Sequence, residues 1–304
     1  MEHKTQLLVV GAGAAGLTAA LYARRAGMDV IVLGRAPYGG QIAETAMIEN
    51  YPALPLTDGY TFASALYQQA ASLGAKLISA EVTGVLALSA QQRTLQTADG
   101  SKYTGEKLVL AVGAKRRKLG CPGEERLLGS GVSYCASCDG AFFRGKTVAV
   151  VGGGNTALED ALTLSALCER VYLIHRRDAF RGEKYLEEAV HKKQNIQPIL
   201  QEEVAEIEGA QHVEAVRLKN RKEVLAVDGV FVAVGQEPDT ALFRAFVNCD
   251  GGGYFIAGED CKTNLPGVFA AGDCRTKLLR QIVTAAADGA VAAFSASQEV
   301  QSGM

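Results

Sequence analysis

Residues 6–35 read QLLVVGAGAAGLTAALYARRAGMDVIVLGR, and residues 147–176 read TVAVVGGGNTALEDALTLSALCERVYLIHR. At a constant offset of 141, Gly11 falls on Gly152, Gly13 on Gly154 and Gly16 on Ala157. Val30 then falls on Val171 and Leu33 on Ile174 without a gap. Each copy runs from a short β-branched stretch through a glycine turn into a helical stretch and a second apolar run. That is the pattern of a βαβ unit that binds a dinucleotide. The first glycine permits the tight turn, and the second lets the backbone approach a pyrophosphate. The third position, Gly or Ala, allows close helix–strand packing, while the helix N-terminus faces the phosphate charge. One G-x-G-x-x-G is a weak signal. Two in register predict two Rossmann-like halves in an α/β fold.

The copies differ where they end. An acid closing the second strand would bond an adenosine ribose 2′-OH, whereas arginine there suits a 2′-phosphate. The second copy ends His175, Arg176, Arg177, with Arg181 four residues on. Guanidiniums at a strand end can fork onto a phosphate, so this site, with Gly152 and Gly154 as its turn, reads as NADPH. The first copy ends Gly34, Arg35 with no acid, and its ligand stays open on periodicity alone.

Two further apolar strands echo one another, LVLAVGA at 108–114 and VFVAVGQ at 230–236, as expected of strands buried on both faces. GVFAAGDC at 267–274 reads as another strand, followed by a helix carrying Arg280, Gln281 and the alanine-rich stretch Thr284 to Ala296. The simplest layout joins residues 1–113 and 244–304 in one discontinuous domain, with 114–243 inserted as the NADPH unit. The polar crossings Gly113 to Lys118 and Glu237 to Thr240 would be its tethers, about which it can hinge.

Cys135-Ala-Ser-Cys138, followed by Asp139, stands just ahead of the second unit. Structural zinc normally needs a second ligand pair at similar spacing, and none exists, so the pair reads as a redox dithiol. Asp139 is then either a general acid or base for a leaving thiolate, or a helix N-terminal cap. The other cysteines, Cys121, Cys168, Cys249, Cys261 and Cys274, read as packing thiols. At 304 residues, with 48% hydrophobic and 21% charged residues, the chain is globular. A net charge of −2 gives no reason to expect nucleic acid as a partner. No run is long and apolar enough for a membrane span, and the polar start is not a signal peptide, so a cytoplasmic protein is expected.

Across its length the sequence resembles the low-molecular-weight, bacterial-type thioredoxin reductases. The likeness lies in GAGAAG at 11–16, GGQI at 39–42, IENYP at 48–52 and GVSYCASCDGAFFRGK at 131–146. It continues through GGGNTA at 152–157, HRRDAFR at 175–181, GVFAAGDC at 267–274 and RQIVTAAADGAVAA at 280–293. The resemblance implies a three-layer ββα fold in each domain, an NADPH domain inserted into an FAD domain, and a homodimer. It places FAD on Gly11, Gly13, Ala14, Ala15, Gln41, Asn50, Asp273, Arg280, Gln281 and Ile282. For NADPH it adds Asn155, Thr156 and His175 to the arginines. It makes Cys138 the thiol facing the flavin and Cys135 the sulfur that attacks the disulfide of thioredoxin. Rival readings are an NADPH-dependent reductase of another small dithiol protein, glutaredoxin-like or of a peroxiredoxin system, and a ferredoxin or flavodoxin reductase. The last needs no dithiol. Ala14, Ser137, Cys121 and Cys274 depart from the usual pattern without removing a chemical group.

Overall fold

A computed structural model describes residues 1–36, 38–45, 48–54 and 56–302. The chain forms two compact units, one from Met1–Lys115 with Glu237–Met304, the other Arg116–Gln236. The second unit ends at Gln236, next to the crossing expected from Glu237 to Thr240, whereas the sequence layout ran the inserted unit on to 243. Phe243 explains the difference: it is fully buried and packs edge-on against Phe255 in the first unit's core. The crossing strands Ala114–Arg116 and Gln236–Pro238 pair with one another.

In the first unit, Lys76–Ser79, Val30–Gly34, Glu2–Val10 and Lys102–Leu110 lie side by side as parallel strands. The nine-residue strand Lys102–Leu110 then forks. Its first half pairs antiparallel with Arg93–Thr97, which leads to Val82–Leu88, and its last three residues pair parallel with Val268–Ala270. Alternate side chains fill two cores, because both faces of the sheet are covered. Leu7, Val9, Val30, Val32 and Val109 pack against the helices. Leu8, Val10, Ile31, Leu33, Leu108 and Leu110 pack with Leu88, Leu95, Phe243 and Phe255 on the other face. Each such fully buried side chain contributes roughly 1.5–3 kcal/mol.

The second unit repeats the plan. Five parallel strands run in the order Ile196–Leu200, Arg170–His175, Thr147–Val151, Gly229–Val232, Val132–Ser133. Val148, Val150, Val171, Leu173 and Phe231 face helices Asn155–Ser165 and Lys184–His191. Ala149, Val151, Ile174, Val230 and Val232 face an antiparallel sheet of Val204–Glu208, Ala215–Leu218 and Val224–Ala226. Each unit is thus a ββα sandwich. The repeat is also exact in its helices: Ala14–Arg25 and Asn155–Ser165 start 141 residues apart, each behind a glycine N-cap.

One boundary differs from expectation. The last helix is Ile282–Gln301, so Arg280 precedes it and Gln281 is its N-cap, with Thr284 Oγ1 accepting from the Gln281 N–H at 3.1 Å.

Candidate active site

In the first unit the glycine turn leaves strand Glu2–Val10 at Gly11, whose φ of +107° suits glycine. A Cβ there would stand 2.1 Å from the Ala111 carbonyl oxygen, so the turn is closed by the neighbouring strand. At Gly13 the contact is looser: a Cβ would meet only the Gly39 oxygen, at 3.6 Å. The helix behind it has no side-chain cap and no acid in its first turn, which leaves its leading N–H groups for an anion. Gly39 donates to the Ala12 oxygen at 2.8 Å, bringing the Gly39-Gly40-Gln41 segment onto the same turn. Gln41 donates to the Ala114 oxygen.

Other FAD candidates gather from far along the chain. Asn50 Nδ2 donates to Gln281 Oε1 at 3.1 Å across 231 residues of sequence. Arg280 lies over the Tyr254 ring at 4.0 Å and donates to the Asp273 carbonyl at 3.3 Å. The turn carrying Asp273 is fixed from below by Asp288, which accepts from the Gly272 N–H at 2.9 Å. Asp288 also holds Arg275 through both carboxylate oxygens and Lys277 at 2.8 Å. Burial alone would raise its pKa, but these partners hold it below the ordinary carboxyl range. Ala14 and Ala15 are buried in the first helical turn, and Ile282 opens the last helix. The two groups meet at Gly272, where an added Cβ would lie 2.9 Å from the Ala15 Cβ.

In the second unit the groups of interest leave the carboxyl ends of parallel strands, where open α/β sheets place their ligands. Thr147–Val151 leads into Gly152, where a Cβ would lie 2.3 Å from the Ala233 oxygen. Gly154, by contrast, faces open space, and its helix also lacks a side-chain cap and a leading acid. Arg170–His175 leads into Arg176 and Arg177. These two and Arg181 are exposed, and none forms an ion pair among the described residues.

The remaining NADPH candidates are placed differently from one another. Thr156 is exposed in the first turn of the helix. Asn155 spends its side chain on Glu183, accepting from its N–H at 2.8 Å and donating to its carboxylate at 3.1 Å. With Arg181 N–H donating to the Gly153 oxygen at 2.6 Å, this latches the arginine segment to the glycine turn. His175 is buried beneath that turn, so close that a Cβ at Gly153 would be 2.2 Å from Nδ1. Its Nε2 has no hydrogen-bond partner among the described residues. Burial, then Arg177 and Arg176, lower its pKa, so the ring is neutral at pH 7. A neutral, buried ring supports the turn from below.

The dithiol lies on the same edge, two strands from Gly152, or roughly 10 Å at ordinary strand spacing. The edge strand Val132–Ser133 ends there, and Cys135 caps the one-turn helix Ala136–Asp139. Cys135 and Cys138 are joined as a disulfide. Asp139 does not use its side chain as a cap. Its carboxylate accepts instead from the Ser133 hydroxyl, a residue that sequence reading passed over because the contact closes across the turn. Burial raises the Asp139 pKa, while Ser133 and Arg116 oppose the rise. Tyr134 points elsewhere, donating at 2.8 Å to the buried Glu124, which also accepts from the N–H groups of Leu119 and Gly120.

Cys121, Cys168, Cys249, Cys261 and Cys274 are free thiols. Burial pushes Cys121 up to about 11 and Cys274 to about 12, so neither is a ready nucleophile.

Residues 5–289 match the family described as pyridine nucleotide-disulphide oxidoreductase. A thioredoxin reductase of Listeria innocua is 39% identical over 99% of this chain and 95% of its own. A bifunctional thioredoxin reductase/thioredoxin of Mycobacterium leprae is 39% identical over 97% of this chain and 66% of its own. The crystal structure of thioredoxin reductase from Streptococcus pyogenes superposes with a TM-score of 0.93 at 36% identity, covering 98% of this chain and 99% of that one. Two matching nucleotide turns, a dithiol on the same sheet edge as one of them, and these likenesses lead to one conclusion: the chain belongs to the pyridine nucleotide-disulphide oxidoreductases, among the bacterial-type thioredoxin reductases.

Proposed function

We infer that the protein is an NADPH-dependent thioredoxin-disulfide reductase that carries electrons through FAD and the Cys135–Cys138 pair to the disulfide of thioredoxin. The observation that carries this reading is the disulfide itself, set at the carboxyl ends of the same sheet's strands as Gly152, Gly154 and three exposed arginines. A ferredoxin or flavodoxin reductase has no use for that pair. FAD and NADPH, when bound, supply hydride transfer. The chain's own residues do the rest. Gly11, Gly13, Ala14, Ala15, Gln41 and Asn50 would hold FAD, Asp273 its ribityl hydroxyls, and Arg280–Ile282 its ring side. Arg176, Arg177 and Arg181 select the 2′-phosphate of NADPH, with Asn155, Thr156 and His175 shaping that site.

Once reduced, Cys135 attacks thioredoxin's disulfide as a thiolate, forming a mixed disulfide and releasing one thioredoxin sulfur. Cys138 passes its proton to Asp139 and attacks the Cys135 sulfur. The second thioredoxin sulfur leaves with the electron pair and takes the proton back from Asp139. The Cys135–Cys138 bond is restored, and thioredoxin has gained two electrons and the Cys138 proton, while its first-released sulfur takes from water the proton that Cys135 gave to water on forming its thiolate. The name of the Mycobacterium leprae relative, joining a reductase to a thioredoxin, supports thioredoxin as partner.

The reading extends to a homodimer and a cytoplasmic setting. Val283, Val291 and Phe294 are exposed on one side of the last helix, near exposed Leu278 and Leu279 in sequence, an apolar surface suited to a second copy. Among the described residues no helix is long and apolar enough to cross a membrane.

The purified holoenzyme should be yellow, bleach with NADPH far more readily than with NADH, and oxidise NADPH when thioredoxin is added. Arg176→Ala with Arg177→Ala should raise the KM for NADPH about 100-fold and leave that for NADH nearly unchanged. Equal losses for both coenzymes would remove the 2′-phosphate assignment. Turnover with a glutaredoxin but not with any thioredoxin would replace the proposed partner.

A further inference from the structure

We propose that Ser133 is a positioning residue for proton transfer at the dithiol, its hydroxyl holding the Asp139 carboxylate beside the turn that Cys135 begins. The proposal rests on the reading of Asp139 as the dithiol's acid and base.

Ser133 is the last residue of the edge strand, in register with Phe231 of the neighbouring strand, and its side chain is buried with 5% of the residue exposed. Its backbone is therefore fixed by the sheet and its hydroxyl is shielded from water. A hydroxyl has one proton to give and lone pairs to accept with. Here the proton is directed at Asp139 Oδ2, and the oxygen accepts from the Cys135 N–H at 3.0 Å. A single oxygen thus ties the carboxylate to the first residue of the dithiol turn. The helix Ala136–Asp139 is only one turn long, held by Asp139 N–H donating to the Cys135 oxygen at 3.1 Å. That bond fixes the backbone of Asp139 but leaves both of its side-chain torsions free. Ser133 supplies the constraint, and a bond to an ionised acceptor is among the stronger ones.

The consequence for chemistry follows from the two roles Asp139 plays in each turnover. It must take a proton from Cys138 and return it to the departing thioredoxin sulfur, so both its position and its proton affinity matter. The groups acting on that affinity are the Ser133 hydroxyl, the Arg116 guanidinium and the adjoining sulfurs of Cys135 and Cys138. Burial raises the pKa most, and Ser133 is the largest influence opposing it. Without the hydroxyl the carboxyl is both looser and more tightly protonated.

The test is the pH dependence of thioredoxin-linked NADPH oxidation by the holoenzyme. Wild type is compared with Ser133→Ala, Ser133→Thr, Asp139→Asn and the Ser133→Ala/Asp139→Asn double variant. Anaerobic flavin bleaching by NADPH is measured beside it in each. Ser133→Ala should shift the acid limb of kcat upward by about one pH unit, because Asp139 must be ionised to take the Cys138 proton, and lower kcat about 10-fold. The KM for NADPH and the bleaching rate should stay within about twofold, which also shows that the variant is folded. Ser133→Thr, which keeps the hydroxyl, should restore the wild-type profile. The double variant should be no slower than Asp139→Asn alone, because Ser133 acts through that carboxylate. An unshifted profile in Ser133→Ala, or a further multiplicative loss in the double variant, overturns the proposal. Wild-type turnover in Asp139→Asn would instead overturn the reading of Asp139 on which it rests.

Discussion

The carboxyl of Asp139 sits beside the dithiol with burial as its largest influence, raising its pKa against Ser133 and Arg116. A protonated Asp139 therefore persists to higher pH than an ordinary carboxyl would. Thioredoxin-linked turnover should fall as pH drops through that raised value, because a protonated Asp139 cannot take the proton from Cys138. Asp139→Asn should remove this limb and lower kcat by about 100-fold, measured as NADPH oxidation with thioredoxin across pH. The residue type and its place after Cys138 were readable from the sequence. Which of two roles it takes was not, since a cap and a proton carrier look alike until the side chain's partner is known. Ser133 escaped for a related reason: its contact joins a strand end to the far side of a turn. His175 was readable as a neighbour of the arginines, but its burial under Gly153 depends on a glycine from the preceding strand–helix turn.

The repeated strand–turn–helix elements were the most legible part of the chain, because period and glycine placement are both local. The offset of 141 read from the sequence is the offset between the two helix starts. The last helix was harder. Its alanine-rich sequence signalled a helix but hid Asp288, whose partners Arg275 and Lys277 lie on the preceding turn. This buried cluster couples the helix to the segment carrying Asp273 through the Gly272 N–H. Asp288→Asn should leave two buried cations uncompensated and cost about 3–5 kcal/mol at pH 7. The folded pKa of Asp288 is depressed, so its contribution is present above the unfolded value, near about 3.9, and fades as pH falls through the folded one. Thermal unfolding should therefore show the variant well below wild type at pH 7, and the gap should narrow towards pH 3. An equal gap at both pH values would contradict the ion-pair account. The polar crossing at Glu237 to Thr240 was legible, but residues 237–243 group with the first unit, because Phe243 packs against Phe255, a contact that local sequence does not show.

Over the whole chain, the flavin candidates belong to one unit and the dithiol with the NADPH arginines to the other. The proposed function requires the flavin to exchange electrons with both nicotinamide and dithiol, and the dithiol also to reach a protein. The two crossings offer a hinge for that alternation. A cross-link that locks the units should stop thioredoxin turnover, and turnover should return on its release; undiminished activity while locked would remove the hinge from the account.

The claim that electrons leave through this dithiol is tested most directly by Cys138→Ser, assayed for anaerobic flavin bleaching by NADPH and for thioredoxin-dependent NADPH oxidation. Bleaching should proceed at close to the wild-type rate while thioredoxin reduction is lost. Thioredoxin reduction at the wild-type rate in that variant would contradict the account.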